Sequence, residues 1–217
     1  VPVRVTNDAN AAAMGEMTYG AARGMKNFIM ITLGTGVGSG IVCDGRVIYG
    51  SDGFAGELGH VIVDHTEKAR PCGCGRKGCL ETYCSATGVA RTARLVLEGS
   101  TEASLLRQLN PDEITSFDVF QAAEEGDKLA LEIFEETGRR LGAACADFAA
   151  FSSPEAFIFF GGPTKAGDLL MNPLKKYLDK YMLHSMKDTK VLFSKLGDDA
   201  AILGASALAL TALANQK

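Results

Sequence analysis

Three cysteines and one histidine within residues 57–81 constrain the fold more than any other feature of the sequence. The segment reads ELGHVIVDHTEKARPCGCGRKGCLE, in which Cys72, Cys74 and Cys79 follow His60. Thiolates and a neutral imidazole are ligands that zinc prefers, and four such ligands close a tetrahedral shell. The spacing therefore predicts a structural Zn²⁺ that folds a loop, rather than a catalytic metal with an open position.

Two alternatives to this metal site stay open in the sequence. Two cysteines of the cluster could form a disulfide and leave the third thiol free, and His65 is a second nearby imidazole. Close cysteine spacings in a chain with the composition of an intracellular enzyme favour a metal site. Glycines at positions 73, 75 and 78 would let the backbone turn tightly around an ion.

The composition of the chain narrows the classes of function. Its 217 residues carry a net charge of −4, which gives no electrostatic reason to expect nucleic acid or an anionic membrane surface as a partner. No apolar run approaches the roughly 20 residues that span a bilayer. Six cysteines, three of them scattered at positions 43, 84 and 145, fit a reducing compartment, so we expect a cytoplasmic protein.

Apolar segments of strand type alternate with helical patterns along the chain, and this alternation predicts an α/β fold. Strands are predicted over residues 1–6, 27–33, 156–160 and 191–194. Helices are predicted from Asn7 to a glycine cap at Gly24, and over residues 81–98, 116–151, 166–181 and 199–214. The polar residues 99–115 are predicted to form a loop or a short helical linker.

A glycine-rich stretch at residues 34–40, GTGVGSG, lies between two apolar runs of strand type. The second run continues to Asp44-Gly45, a strong signal for a hairpin turn. A P-loop or a dinucleotide fingerprint would instead lead from a strand into a helix. We therefore expect a hairpin whose bare amides and Thr35 hydroxyl could cradle a phosphate, with a simple tight turn as the alternative.

Asp8 lies where the first predicted strand gives way to the first predicted helix. A lone aspartate at that position is most often a helix cap, and this interpretation is favoured for Asp8 taken alone. A carboxylate at such a switch is also where ligand sites form in α/β folds. The positive end of the helix dipole would favour its ionised form.

Taken together, the motifs NDANAAAMGE, LGTGVGSG, GELGH, CGCGRKGCLE and FFGGP, in this order, resemble the ROK family of sugar kinases and sugar-responsive repressors. The resemblance implies an actin-like ATPase (ribonuclease H-like) fold. Residues 1–217 would form its C-terminal lobe, with an inserted zinc loop at about 57–81 and a last helix at about 199–214. The N-terminal lobe would be missing from the chain, and homo-oligomers are the expectation for the family.

The resemblance also assigns roles to individual residues. Asp8 would be the catalytic base. The zinc ligands would be His60, Cys72, Cys74 and Cys79. The sugar hydroxyls would be held by Asn7, Asp8, Glu57, His60 and Glu81. Contacts to ATP would come from Gly34, Thr35, Gly36, Gly38, Gly161, Gly162 and Gly197.

The activity implied by the resemblance is transfer of the γ-phosphoryl group of ATP, bound with Mg²⁺, to the 6-hydroxyl of a hexose. Glucose is the first candidate, which would place the protein in glycolysis. The fragment alone is expected to be inactive. A sugar-responsive repressor and a zinc-stabilised interaction module without a ligand stay open as alternatives, and Asp8 together with the glycine hairpin favours the kinase.

Overall fold

The computed structural model describes Val3 and residues 5–214, whose backbone forms seven α-helices and five strands. The strands are β1 Phe28–Leu33, β2 Val37–Cys43, β3 Arg46–Val47, β4 Ala156–Gly161 and β5 Lys190–Phe193. The helices are α1 Asp8–Tyr19, α2 Glu81–Cys84, α3 Ala86–Gly99, α4 Ser116–Glu124, α5 Lys128–Ser152, α6 Asp168–Tyr181 and α7 Ala200–Ala214.

The five strands form one mixed sheet in the order β3-β2-β1-β4-β5. β1, β2 and β3 pair antiparallel, whereas β4 lies parallel to β1 and β5 lies parallel to β4. The predicted hairpin turn at Asp44-Gly45 is confirmed, and both residues adopt positive φ values of 48° and 74°. Such a turn matches the right-handed twist of the two strands that it connects.

The sheet buries apolar side chains on both faces because successive side chains of a strand point to opposite sides. On β1, Ile29 and Ile31 belong to the larger core under α3, α4, α5 and α6, and Phe28 and Met30 belong to the smaller core under α1. This burial on both faces explains why β1 has an unbroken apolar sequence. The predicted α/β class is confirmed.

Two predictions at the start of the chain were wrong. Val3 and Val5 are 78% and 87% exposed and lie in no strand, so the described part of residues 1–6 is not a buried strand. An apolar run forms a strand only where another strand pairs with it, and none of the described strands pairs with Val3 or Val5. Helix α1 ends at Tyr19 with Gly20 as its C-cap, one turn before the predicted glycine cap at Gly24.

The predicted helical segments 81–98 and 116–151 are each divided into two helices by a capping residue. The Ser85 side chain accepts the amide of Gly88 and begins α3, and the Asp127 side chain accepts the amide of Ala130 and begins α5. Side-chain caps of this kind satisfy amides that a helix start leaves unpaired. The remaining predicted strands and helices are observed within a few residues, and residues 99–115 contain two short 3₁₀ turns.

Helices α1 and α7 pack with their backbones in close contact. A Cβ atom at Gly204 would collide with the Ala11 carbonyl, and one at Gly15 would collide with the Ala200 carbonyl. Glycine at both positions therefore lets the helices approach, and this approach holds α7 on the outer side of α1. Although α7 is apolar along its length, none of the helices in the described residues is long and apolar enough to cross a membrane.

We predict that Gly204→Ala lowers the free energy of unfolding by about 1–3 kcal/mol, because the new methyl group forces two backbones apart. Gly99→Ala is the matched control, since a Cβ there meets no atom within 4 Å, and it is expected to be neutral or stabilising by up to about 1 kcal/mol. Urea unfolding of both variants measures the difference. Equal unfolding free energies for the two variants would contradict the proposed close contact.

Candidate active site and metal cluster

The four ligand atoms of the predicted metal site lie together. One nitrogen of His60 and the sulfurs of Cys72, Cys74 and Cys79 are all within 4.8 Å of one another. The Cys72 Sγ to His60 Nδ1 distance is 3.6 Å, and the Cys74 Sγ to Cys79 Sγ distance is also 3.6 Å. A tetrahedral ion with bonds of about 2.3 Å to sulfur and about 2.0 Å to nitrogen separates its ligand atoms by about 3.5–3.8 Å. The two distances of 3.6 Å lie in this range, and the remaining ligand atoms are within 4.8 Å of one another.

The geometry decides between this cluster and the alternatives. A disulfide holds its sulfurs about 2.05 Å apart, so the 3.6 Å between Cys74 and Cys79 is a non-bonded distance. All six cysteines are free. His65 is exposed and is not part of the cluster. The donor set could therefore hold a metal ion.

Local backbone geometry brings the cysteines together. Gly75 and Gly78 adopt φ values of 86° and 82°, a region that favours glycine. The Gly75 amide donates to the Cys72 carbonyl at 3.1 Å, which closes the turn between the first two cysteines. Gly73 has an ordinary φ and open space around it, so the predicted need for a glycine holds at positions 75 and 78 only.

Arg76 supports the cluster electrostatically. Its backbone amide and then its side chain donate to the Cys74 sulfur, and together they lower the pKa of that thiol to about 6. The thiolate is the form of cysteine that binds a metal. Arg76 Nη2 also donates to the His60 carbonyl at 2.9 Å, so this one side chain touches both ends of the ligand set.

Tyr83 anchors the cluster to the helical layer, a role that no local sequence pattern indicated. The guanidinium groups of Arg70 and Arg140 lie over its ring, 4.4 Å and 4.0 Å from the centroid. Its hydroxyl donates to Asp64 Oδ2 at 2.7 Å. That hydrogen bond, followed by those from Thr66, lowers the pKa of Asp64 to about 2. Cation–π contacts and the charged hydrogen bond therefore hold Arg70 and Asp64 against Tyr83. These two residues belong to residues 61–80, called the metal loop below.

The three predicted sugar ligands of the loop lie side by side. His60 Nδ1 faces the cluster, and the Glu81 Oε1 oxygen is 3.6 Å from it and accepts from the Cys72 thiol at 3.0 Å. His60 Nε2 points away from the sulfurs, 3.9 Å from Glu57 Oε2. A histidine that binds a metal through one ring nitrogen keeps the other nitrogen as a hydrogen-bond donor.

Strand β2 holds the GELGH segment in place. The Ser39 hydroxyl donates to the Gly56 carbonyl and accepts the Leu58 amide at 3.2 Å. A Cβ at Gly59 would collide with the Val37 carbonyl, so a glycine is required for this contact. The segment therefore presents Glu57 and His60 next to the end of the sheet.

A cleft of about 470 Å³ opens at the carboxyl ends of the parallel strands. Its lining joins Asp8, the hairpin residues 34–38, Glu81, Gly161 and Gly197. The structure thus brings together the Asp8 carboxylate, the backbone of the glycine hairpin and one of the loop glutamates. Gly162 lies just beyond, at the start of the 3₁₀ turn that follows Gly161.

Asn7 and Asp8 lie at the first turn of α1 beside this cleft. The Asn7 side-chain oxygen accepts the Asn10 amide at 2.7 Å, so Asn7 is the helix N-cap. Asp8 is exposed and accepts the Ala9 amide at 2.8 Å. The cap interpretation therefore applies to Asn7, and the Asp8 carboxylate faces the cleft.

The glycine hairpin is held from behind by the start of α3. The Ala86 amide donates to the Gly34 carbonyl at 2.8 Å, and the Thr87 hydroxyl donates to the Thr35 carbonyl at 2.6 Å. With its carbonyls bound on that side, the hairpin can turn amides toward a ligand. Gly36 lies against the carboxylate of Glu81, which would contact a Cβ at 2.7 Å.

Two of the four alternate glycines serve packing. A Cβ at Gly40 would lie 2.8 Å from the Ala9 carbonyl, and one at Gly38 would lie 3.3 Å from the Ala9 side chain. These glycines let α1 lie directly on β2. The glycines at positions 38 and 40 are thus explained by the contact that positions Asp8.

The mixed sheet in the order 3-2-1-4-5, with helices on both faces and a cleft at its carboxyl edge, defines an actin-like ATPase-type α/β fold. The chain belongs to the ROK family, whose model matches residues 1–212.

Individual relatives include both kinases and regulators. The chain is 43% identical to a glucokinase of Halalkalibacterium halodurans over 94% of its own length and 62% of that protein. It matches the crystal structure of a ROK family glucokinase from Streptomyces griseus in complex with glucose and AMPPNP. The sequence identity is 37% and the TM-score is 0.84, and the match covers 96% of this chain and 68% of that one. A ROK family transcriptional regulator, a homologue of the E. coli MLC protein, matches at 32% identity, TM-score 0.85, 96% of this chain and 52% of that one.

We predict that Asp64→Asn lowers the free energy of unfolding by about 1–2 kcal/mol near neutral pH, because a charged hydrogen bond is lost. The folded pKa of Asp64 is about 2, below its usual 3.8, so its stabilisation is complete above about pH 4. It is lost as the pH falls toward 2 and the wild-type carboxylate becomes protonated. Urea unfolding of wild type and variant, compared at each pH, measures this convergence.

The exposed Asp112 supplies the control, and Asp112→Asn is expected to follow wild type throughout. A difference between wild type and Asp64→Asn that stays constant down to about pH 3 would contradict the assignment.

Proposed function

We propose that the protein phosphorylates a hexose at its 6-hydroxyl with ATP, and that glucose is the substrate. The chain spans 62% of the length of its Halalkalibacterium relative, so the activity proposed is that of the whole protein, of which residues 1–217 would form the C-terminal lobe. One observation carries the proposal: Asp8, the glycine hairpin and Glu81 line the same cleft. The glucose and AMPPNP held by the Streptomyces glucokinase support the choice of both substrates.

Asp8 is the proposed catalytic base. Its carboxylate lies exposed at the N-terminus of α1, where the helix dipole favours negative charge. In this role it accepts the proton of the sugar 6-hydroxyl while that oxygen attacks the γ-phosphorus. The bond from the γ-phosphorus to its bridging oxygen breaks, and the nucleoside diphosphate leaves. Phosphoryl transfer depends mainly on positioning and on charge stabilisation.

The hairpin residues Gly34, Thr35, Gly36 and Gly38 are proposed to contact the phosphates, and Gly161, Gly162 and Gly197 to flank the adenosine. Small residues permit a close approach of the nucleotide to the backbone. Mg²⁺ bound with ATP would neutralise charge on the phosphates. The anchoring of the Gly34 and Thr35 carbonyls to α3 supports this assignment, because it fixes the hairpin at the edge of the cleft.

The metal of the cluster is proposed to be Zn²⁺, held by His60, Cys72, Cys74 and Cys79. With all four positions closed by protein, the ion would stabilise the loop and take no part in the reaction. Its second effect would be on the sugar, because it fixes the ring of His60 with Nε2 directed outward. The sugar hydroxyls would then meet His60, Glu57 and Glu81 on one side and Asn7 and Asp8 on the other.

A second candidate function is a sugar-responsive repressor. The similarity to a ROK transcriptional regulator at a TM-score of 0.85 favours it, because the same lobe serves both classes. Asp8 and the amide-lined hairpin favour the kinase, since a sensor needs to bind a sugar but does not need a base. Free thiols and thiolate ligands suit a reducing compartment, so we propose a cytoplasmic protein with a place in glycolysis. A homo-oligomer is proposed on family resemblance.

We predict that Asp8→Asn lowers kcat for glucose phosphorylation about 10²–10⁴-fold, because the general base is removed. A coupled assay of ADP release by the whole protein, over a panel of hexoses, measures the rate. Asp147→Asn on the exposed surface of α5 is the matched control and is expected to keep wild-type activity. Binding of a hexose by wild type without turnover would instead support the repressor.

We predict about one zinc ion for each chain of wild-type protein, and little or none in Cys79→Ala, because three ligands bind zinc far more weakly than four. Cys43→Ser is the control, since Cys43 is exposed and lies outside the cluster. Elemental analysis after dialysis against a weak chelator measures the content. Equal zinc in wild type and Cys79→Ala would disprove the ligand assignment.

A further inference from the structure

Glu16 is a buried acidic side chain that the proposed reaction does not use. It lies on α1 two turns beyond Asp8, and its relative exposure is 0%. Among the described residues, no lysine, arginine or histidine side chain forms an ion pair with it. A charged carboxylate in such a place is costly unless several hydrogen bonds replace its hydration.

Hydrogen bonds from two loops replace that hydration. The Ala21 amide donates to Glu16 Oε2 at 2.6 Å, from the turn that ends α1. The Ser194 hydroxyl and the Leu196 amide, the latter at 3.1 Å, donate to Oε1 from the loop between β5 and α7. The Lys195 amide lies further away, at 3.4 Å. An apolar side chain would fill this space without a desolvation cost, so the carboxylate is best explained by the loop geometry that it imposes.

Ser194 passes this constraint on to the cleft. Its hydroxyl donates a hydrogen bond to Glu16 Oε1 and accepts a hydrogen bond from the Gly197 amide at 3.0 Å. Gly197 adopts a φ of 57°, and together with Asp198 it lines the cleft opposite Asp8. The chain of contacts from Glu16 through Ser194 to Gly197 therefore sets the position of one wall of the cleft.

The same helix thereby controls two parts of the site. Asp8 lies at the N-terminus of α1, and Glu16 lies about 12 Å further along its axis at 1.5 Å per residue. The close packing of Gly15 and Gly204 also fixes the start of α7 against this helix. Because α1 is rigid, the distance between the Asp8 carboxylate and the Gly197 turn is determined by the hydrogen bonds of Glu16.

We propose that Glu16 and Ser194 form a positioning pair that holds the Gly197–Asp198 turn in the conformation that receives the nucleoside part of the phosphoryl donor. This inference rests on the proposed kinase function and adds two residues to it. Neither side chain touches substrate in this role, because both act through the Gly197 turn. Loss of the pair should weaken nucleotide binding and leave the sugar side of the cleft unchanged.

Ser194→Ala in the whole protein tests the pair with little risk to folding. It removes the bond to Gly197, and Glu16 keeps the amides of Ala21 and Leu196. We expect the Kd of a non-hydrolysable ATP analogue and the KM for ATP to rise about tenfold, as for the loss of a charge-assisted hydrogen bond. The KM for the hexose and the zinc content should stay at wild-type values.

Two further variants separate positioning from general stabilisation. Ser194→Thr keeps the hydroxyl and should restore nucleotide affinity. Ser206→Ala removes an exposed hydroxyl on α7 that bonds only the Ile202 carbonyl, and it should behave as wild type. Equal rises in the KM for ATP and for hexose, together with a lower Tm, would show a merely structural role and overturn the inference.

The result for wild type distinguishes failure of the proposed kinase function from failure of the positioning role alone. Calorimetric titration of wild type with the ATP analogue comes first. If wild type does not bind the analogue, the proposed kinase function fails and this inference fails with it. If wild type and Ser194→Ala bind it equally well, only the positioning role is overturned, and the kinase proposal stands.

Discussion

Close backbone contact around helix α1 is the constraint on which the rest of the cleft depends. Glycines at positions 38 and 40 let the helix lie on β2, and glycines at 15 and 204 let α7 lie on the helix. A side chain at any of these positions would separate two backbones, which protein interiors resist because they are close-packed. The location of Asp8 therefore depends on glycines at these four positions, and the repeated glycine motifs reflect this packing.

The metal loop is ordered with little regular secondary structure. Residues 61–80 contain only isolated bridges, Ile62 to Cys79 and Pro71 to Lys77, in place of a ladder of strand hydrogen bonds. A segment with so little regular structure needs other contacts to offset its loss of conformational entropy. The ligand cluster, which brings Cys72 and Cys74 to His60 and Cys79 at the ends of the segment, supplies one set, and the stack of Arg70 and Arg140 on Tyr83 supplies the other. The loop is thus fixed at both ends.

Local patterns predicted most of this architecture, and long-range contacts account for what they missed. The cysteine spacing, the Asp44-Gly45 turn and the apolar strands each depend on neighbours in sequence, and they were found. The described residues among 1–6 were misassigned because a strand needs a partner strand, which no local pattern reveals. Glu16 and Tyr83 act through partners far along the chain, such as Ser194 and Arg140. A lone charge within an alanine-rich helix was the only available signal for Glu16.

The two halves of the cleft meet at Glu81, and this meeting makes them interdependent. Its carboxylate lies 3.0 Å from the Cys72 sulfur on the cluster side and lies against Gly36 on the hairpin side. Glu81 begins α2, and the next helix, α3, carries the Ala86 and Thr87 donors that hold the hairpin carbonyls. A displacement of the metal loop would therefore move the Glu81 carboxylate, which is a proposed sugar ligand. It would also move Ala86 and Thr87, which hold the hairpin. In the proposed kinase, the loop would thus affect nucleotide binding without any contact with the nucleotide.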